Sequence, residues 1–167
     1  FGSICMILVG ALNIRQASRS IDLRIFLIIG ASLAMSRAME TTGGVAFLSS
    51  NFIEVFDGAP PAVMISAFFL LCAITTNILS NNATAVLFAP IALGLASSLS
   101  MAPEPFIFAV IFAANCSFAT PISYQTNLLV MTPGGYQFKD FMRAGIPLIF
   151  IIWITYSLFA PWYFGLY

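Results

Sequence analysis

The sequence predicts an all-α polytopic membrane protein in which one helical hairpin enters the bilayer and turns back and one transmembrane helix is broken at mid-depth. Three observations predict it. Of the 167 residues, 60% are hydrophobic and only 7% charged, against about 25% charged in a soluble domain, and the mean hydropathy is +1.01. The six basic and six acidic residues cluster, so that 58–103, 105–138 and 144–167 carry no charge, whereas one helical pass needs only about 20 apolar residues. The first two of these stretches are interrupted near their centres by runs of polar residues. A formal net charge of zero excludes the basic footprint of a nucleic-acid binder. Histidine is absent, and Cys5, Cys72 and Cys116 stand far apart in apolar runs, so neither a metal cluster nor a disulfide framework is expected.

The elements follow in order. The chain opens on Phe1 and meets its first charge at Arg15, which reads as the interior of a longer protein, with 1–14 a truncated span. Basic loops stay on the cytoplasmic side, which places 15–24 and 139–143 there. A span over 25–38 then runs outward. The stretch 41–57 is apolar at Val45, Phe47, Leu48, Phe52, Ile53 and Phe56 and ends in Glu54 and Asp57, the pattern of an interfacial helix on the outer face. From 59 to 100 two apolar arms flank Thr75-Thr76-Asn77-Ile78-Leu79-Ser80-Asn81-Asn82-Ala83-Thr84. Were both arms full spans, this turn would be a cytoplasmic loop, and such loops usually carry Lys or Arg. Its lack of charge favours a re-entrant hairpin, with two full spans as the alternative. Ala85, Ala89, Ala92 and Ala96 let the second arm pack closely against its neighbours.

The segment 105–136 reads as a broken helix. A first helix runs from Pro105 to Phe118; Pro121 removes a donor and clashes with the preceding turn, so the chain unwinds over 119–127 and resumes from Leu128. Unwound backbone at membrane depth is tolerated only when buried in protein or lining a wet cavity. Pro133-Gly134-Gly135 ends this element, and the last span, 144–162, closes on an aromatic belt of Trp162, Tyr163 and Tyr167.

A polar hairpin tip and a polar helix break at mid-depth point to a solute site built from helix ends. Carbonyls around Thr76 to Leu79 and around Pro121 to Ser123 gather partial negative charge and suit a small cation such as sodium. The amides of Asn81 to Thr84, and the amides and side chains of Tyr124, Thr126 and Asn127, suit an anion without any Lys or Arg. Structural explanations compete at each point: Asn81 and Asn82 as simple helix caps, Pro121 as a plain kink, and Arg37 with Glu40 as a surface ion pair. Seven polar residues at the tip exceed what a cap needs, and the polar run to Asn127 exceeds what a kink needs. The acids Glu54 and Asp57 have no base or nucleophile beside them and read as solvated charges. Asn82-Ala83-Thr84 and Asn115-Cys116-Ser117 match the glycosylation pattern but lie inside apolar runs.

Ser80-Asn81-Asn82-Ala83-Thr84 with Pro90 resembles the hairpin-tip motif of the divalent-anion:sodium symporter family of the ion transporter superfamily. The run from Ser117 to Asn127, with Pro133-Gly134-Gly135-Tyr136 and Lys139-Asp140-Phe141, resembles that family's broken helix and its exit. Ile21-Asp22-Leu23-Arg24 and Ala38-Met39-Glu40-Thr41-Thr42-Gly43 are similar to its lead-in, so the likeness runs from about Arg15 to the end. The resemblance implies the second inverted repeat of an elevator-type transporter, a homodimer in full length, carrying a small anionic solute with sodium across a cell membrane, the bacterial inner membrane. It assigns Thr76, Leu79 (through its carbonyl), Asn81 and Ser123 to sodium, and Asn81, Asn82 and Tyr124 to the substrate, and implies no other cofactor; beside it, the helix-end reading expects Ser80 to join the sodium set and Thr126 and Asn127 the substrate set. Asn82 stands where the dicarboxylate carriers have Thr, and Tyr124-Gln125 where they have Thr-Pro. The pattern is more similar to the branch that often carries regulatory TrkA-C domains, for which sulfate and carboxylates such as citrate or succinate are both suggested.

Two other classes compete with this reading. A sodium/proton antiporter or a metalloid efflux carrier shares the superfamily, but a proton carrier usually needs an intramembrane acid, and 58–103 and 105–138 have none. An intramembrane protease using Ser80 or Ser123 needs a base; His is absent and the only lysine is Lys139, so no enzyme is expected.

Overall fold

The computed structural model describes residues 5–6, 9–10, 13, 23–56 and 58–166. The truncated span expected over 1–14 and the basic loop 15–24 fall largely outside them. Two compact units are present, Phe1–Ala34 and Met35–Tyr167, and the second carries everything below. All regular structure among the described residues is helical: α1 (Leu23–Thr41), α2 (Gly44–Val55), α3 (Pro61–Thr76), α4 (Asn81–Ser98), α5 (Glu104–Ala114), α6 (Gln125–Met131) and α7 (Phe138–Tyr163).

α1 ends where Thr41 and Thr42 turn their hydroxyls back onto the carbonyls of Arg37 and Ala38. Gly43 then takes φ 73°, and its carbonyl accepts the Phe47 N–H. That left-handed residue turns the chain within two residues into α2. Arg37 and Glu40, 3.2 Å apart and exposed, form a surface pair of little energetic weight.

α3, α4 and α5 form the core. Phe68, fully buried, meets three rings edge-on, Phe52 of α2, Phe88 of α4 and Phe106 of α5, with centroids 5.7–5.9 Å away. Edge-to-face rings at this spacing add to the burial energy. Small residues let the helices approach: Ala73, Ala92 and Ala109 have no exposed surface, and a Cβ at Gly94 would strike the Val45 side chain and lie 2.9 Å from Ser49 Oγ. α2 is thus seated on α4 by a glycine. α4 ends with Ser100 at φ 53° and the Met101 N–H on the Ala96 carbonyl, a closure that satisfies orphan carbonyls.

α7 has 26 residues and is apolar enough to cross a membrane; at 1.5 Å per residue it measures about 39 Å. A capping box opens it, the Gln137 N–H donating to Asp140 at 2.8 Å. Its inner face is tied to α3 and α5 by polar contacts. Ser66 and Ser157 hydroxyls lie 2.7 Å apart, Trp153 Nε1 donates to Ser66 at 3.0 Å, and Tyr156 Oη donates to the Pro105 carbonyl at 2.6 Å. Its outer side exposes Ile151, Ile154, Leu158 and Trp162, a surface that in water would be an aggregation liability.

The helix expected from Pro105 to Phe118 stops at Ala114, and the one expected from Leu128 begins at Gln125. The cause lies across the core. The Ala114 carbonyl, which a continuing helix would use internally, accepts the Thr76 hydroxyl at 2.8 Å, and the Cys116 carbonyl accepts Asn77 Nδ2 at 2.9 Å. The hairpin takes the acceptors that the helix needs, so α5 unwinds well before Pro121.

α7 passes the unwound stretch at Gly145, where a Cβ would collide with the Phe118 carbonyl and lie 2.6 Å from the Ala119 nitrogen. Backbone cannot yield as a flexible side chain can. Gly145→Ala should therefore cost about 1–3 kcal/mol, read as a lower thermal unfolding midpoint in detergent; an unchanged midpoint would mean that α7 does not touch the break.

Candidate functional site

The hairpin tip, 77–80, and the unwound stretch, 115–124, meet at mid-chain, and Asn77 joins them. Its Nδ2 donates to the Ala73 carbonyl at 2.7 Å and to Cys116 at 2.9 Å, and its Oδ1 accepts the Ala119 N–H at 2.8 Å. Its own carbonyl accepts the Thr120 hydroxyl at 2.7 Å. Only 8% of Asn77 is exposed. An asparagine has two N–H donors and one acceptor oxygen, and here each is engaged.

A second set of bonds holds the break from the α6 side. The Ser123 hydroxyl, buried, lies 3.0 Å from the Ser117 carbonyl and 2.8 Å from that of Thr120. Asn127 Nδ2 reaches the same two carbonyls at 2.9 and 3.2 Å. The backbone that Pro121 keeps out of a helix is thus satisfied by side chains, as burial demands.

Between tip and break lies a cleft of about 610 Å³ lined by Ser80, Asn81, Asn82, Asn115, Ser123, Tyr124 and Gln125, with Ala85, Ile111, Ala114, Ile122 and Leu128 as its apolar walls. None of these residues is charged. Ser80 is the N-cap of α4, its Oγ accepting the Ala83 N–H at 3.3 Å and its carbonyl that of Thr84 at 2.9 Å. Asn81 and Asn82 are therefore the first helical residues and not the cap, and among the described residues their N–H groups have no backbone acceptor. The helix dipole adds positive potential at this end of α4.

The other residues singled out in the sequence divide. Thr76 is fully buried behind the cleft, with its Oγ1 3.4 Å from Asn81 Oδ1. Leu79 sits at the tip, outside the cleft lining, and its carbonyl accepts no hydrogen bond among the described residues. Thr76 Oγ1, Asn81 Oδ1 and the Leu79 carbonyl are oxygen donors of the kind a hard cation takes. Asn82, Tyr124 and Asn81 share the cleft; Thr126 is exposed and does not line it, and the Asn127 amide is spent on the break. Sequence reasoning missed Asn77 as a clamp and Asn115 as a wall. Asn77 was visible only as one of several polar tip residues, because its partners lie about 40 positions away.

A family model described as citrate transporter matches residues 1–166. The chain belongs to the citrate transporter family. Among the relatives of the chain, an uncharacterized transporter of Synechocystis is 37% identical over 98% of the chain and 27% of its own length. Sodium/sulfate cotransporter 1 of Chlamydomonas reinhardtii is 31% identical over 89% of the chain and 17% of its own length. The sodium-dependent dicarboxylate transporter SdcS of Staphylococcus saprophyticus is 24% identical over 96% of the chain and 33% of its own length. The chain spans about a quarter of the length of the first two curated relatives it matches. The resemblance carried by Ser80 to Thr84 and Ser117 to Asn127 is thus to the same group of anion transporters.

Removing the Asn77 side chain leaves the Cys116 carbonyl and the Ala119 N–H buried without partners, each worth about 1–3 kcal/mol. Asn77→Ala should destabilise the fold by at least about 2 kcal/mol, whereas Asn82→Ala, which breaks no hydrogen bond among the described residues, should stay within about 0.5 kcal/mol. Unfolding of both variants in detergent against the unsubstituted protein measures the contrast.

Proposed function

We propose that this chain is the second of two inverted repeats of an elevator-type secondary transporter that carries a divalent oxyanion, sulfate or a di- or tricarboxylate such as succinate or citrate, together with sodium across a cell membrane. The carrying observation is the uncharged polar cleft where the hairpin tip meets the helix break. Its donors are the Asn81 and Asn82 amides and side chains and the Tyr124 hydroxyl, which can hold an anion by dipoles alone. Thr76, Leu79, Asn81 and Ser123 supply oxygens for sodium, with Ser80 fixing the turn between them. The relatives' names, one a sodium/sulfate cotransporter and one a sodium-dependent dicarboxylate transporter, support both halves of this reading.

The re-entrant geometry has support in lengths. α3 has 16 residues, about 24 Å at 1.5 Å per residue, short of the roughly 30 Å hydrocarbon core. α4, the other arm, has 18 residues, about 27 Å, α5 and α6, of 11 and 7 residues, are shorter still, and α7 is the full crossing. A substrate held between two hairpin tips needs the other repeat, so this half supplies one wall of the site. In full length the working unit is a homodimer.

The test is uptake of radiolabelled sulfate, succinate and citrate into proteoliposomes holding the full-length protein, with and without an inward sodium gradient. Sodium-driven uptake of one of these anions is expected, and Asn81→Ala should abolish it while leaving membrane insertion intact. The 167-residue chain alone should transport nothing. Normal sodium-dependent uptake by Asn81→Ala would make the tip structural, and no uptake of any anion by inserted, folded protein would overturn the symport reading.

A further inference from the structure

The C-terminal end of α5 faces the cleft, and helix C-termini repel anions because their last four carbonyls carry partial negative charge. Here all four are covered. The Ile111 carbonyl accepts Asn115 Nδ2 at 2.7 Å, that of Phe112 accepts Cys116 Sγ–H at 3.3 Å, that of Ala113 accepts the Cys116 N–H at 2.9 Å, and that of Ala114 accepts the Thr76 hydroxyl. The wall that would be an acceptor surface has been closed.

Asn115 then adds a hydrogen-bond donor to this wall. It is the C-cap of α5, exposed in a run where Ala113, Ala114, Cys116 and Ser117 are all buried, and it lines the cleft. One amide hydrogen is fixed on Ile111, which holds the group against the helix. The second N–H and Oδ1 have no partner among the described residues, out of the four bonds an asparagine can make. A donor already held in place loses little freedom when a ligand docks.

Resting on the symport reading above, we infer that Asn115 is a substrate-contacting, specificity-determining residue, donating its free amide N–H to an oxygen of the transported anion from the wall opposite the hairpin tip. With no cationic side chain in the cleft, each neutral donor weighs heavily in the choice of anion. A purely structural cap would instead act only through Ile111.

The experiment measures uptake kinetics of the full-length protein in proteoliposomes for whichever of sulfate, succinate or citrate it carries, with the other two as competitors. Asn115→Ala should raise KM for the anion about tenfold, the worth of one hydrogen bond to a charged group, shift the sulfate-to-succinate preference, and leave the half-saturating sodium concentration unchanged. Asn115→Asp, of the same shape, places a carboxylate against the anion. It should lose uptake at neutral pH and regain it as the pH falls and the carboxyl is protonated, relative to the unsubstituted protein. If Asn115→Ala does not insert, the pH profile of Asn115→Asp decides alone. Unchanged KM and preference in Asn115→Ala, or an Asn115→Asp profile parallel to the unsubstituted one, would overturn the assignment while the symport reading stands. Failure of the unsubstituted protein to take up any anion would overturn both.

Discussion

Backbone that leaves a helix in an apolar interior must find partners in the protein, and the rest of this structure depends on how that demand is met. Each unpaired amide or carbonyl costs several kcal/mol in an apolar medium. The hairpin tip and the helix break are each other's solution: Asn77 and Thr76 satisfy the carbonyls and amide that the break exposes, and Thr120 returns a donor to the tip. Neither irregular segment has a satisfied backbone without the other. A cleft flanked by helix ends follows from this mutual repair, and the cleft needs no charged residue because helix ends and side-chain amides supply the polarity.

The core around the junction is built to hold it still. Phe68 touches a ring on each of three neighbouring helices, and glycines at positions 94 and 145 bring α2 onto α4 and α7 onto the break at backbone distance. The Ser66, Trp153 and Ser157 contacts fix the register of α7 against α3. Where lipid tails are as apolar as leucine, such small-residue packing and interhelical hydrogen bonds replace the hydrophobic effect as the source of specificity.

Much of this was legible in the chain. A polar decapeptide inside an otherwise uncharged stretch marks a turn that must be buried or wetted, and Pro121 followed by polar residues marks a break. The motif at Ser80 to Thr84 already resembles that of sodium-coupled anion carriers, in keeping with the family to which the chain belongs. The sequence carried less about where α5 ends, since that boundary is set by Thr76 and Asn77 reaching across the core rather than by local propensity. For the same reason Asn127 reads as a ligand in sequence, while in the fold its amide holds the carbonyls of Ser117 and Thr120. Polar residues at a site announce the site; which of them face the cavity is decided by partners distant in sequence.

The direction of the hydrogen bonds along the chain has a consequence for biogenesis. Translation runs from the N-terminus, so Asn77 leaves the ribosome about 40 residues before Cys116 and Ala119, and Ser66 precedes Trp153 and Ser157 by 87 and 91 residues. At roughly 5–20 residues per second, the first interval is a matter of seconds. During that time the Asn77 and Ser66 groups that these residues will meet lack those partners. The junction between tip and break can therefore close only after the chain has been made as far as Thr120.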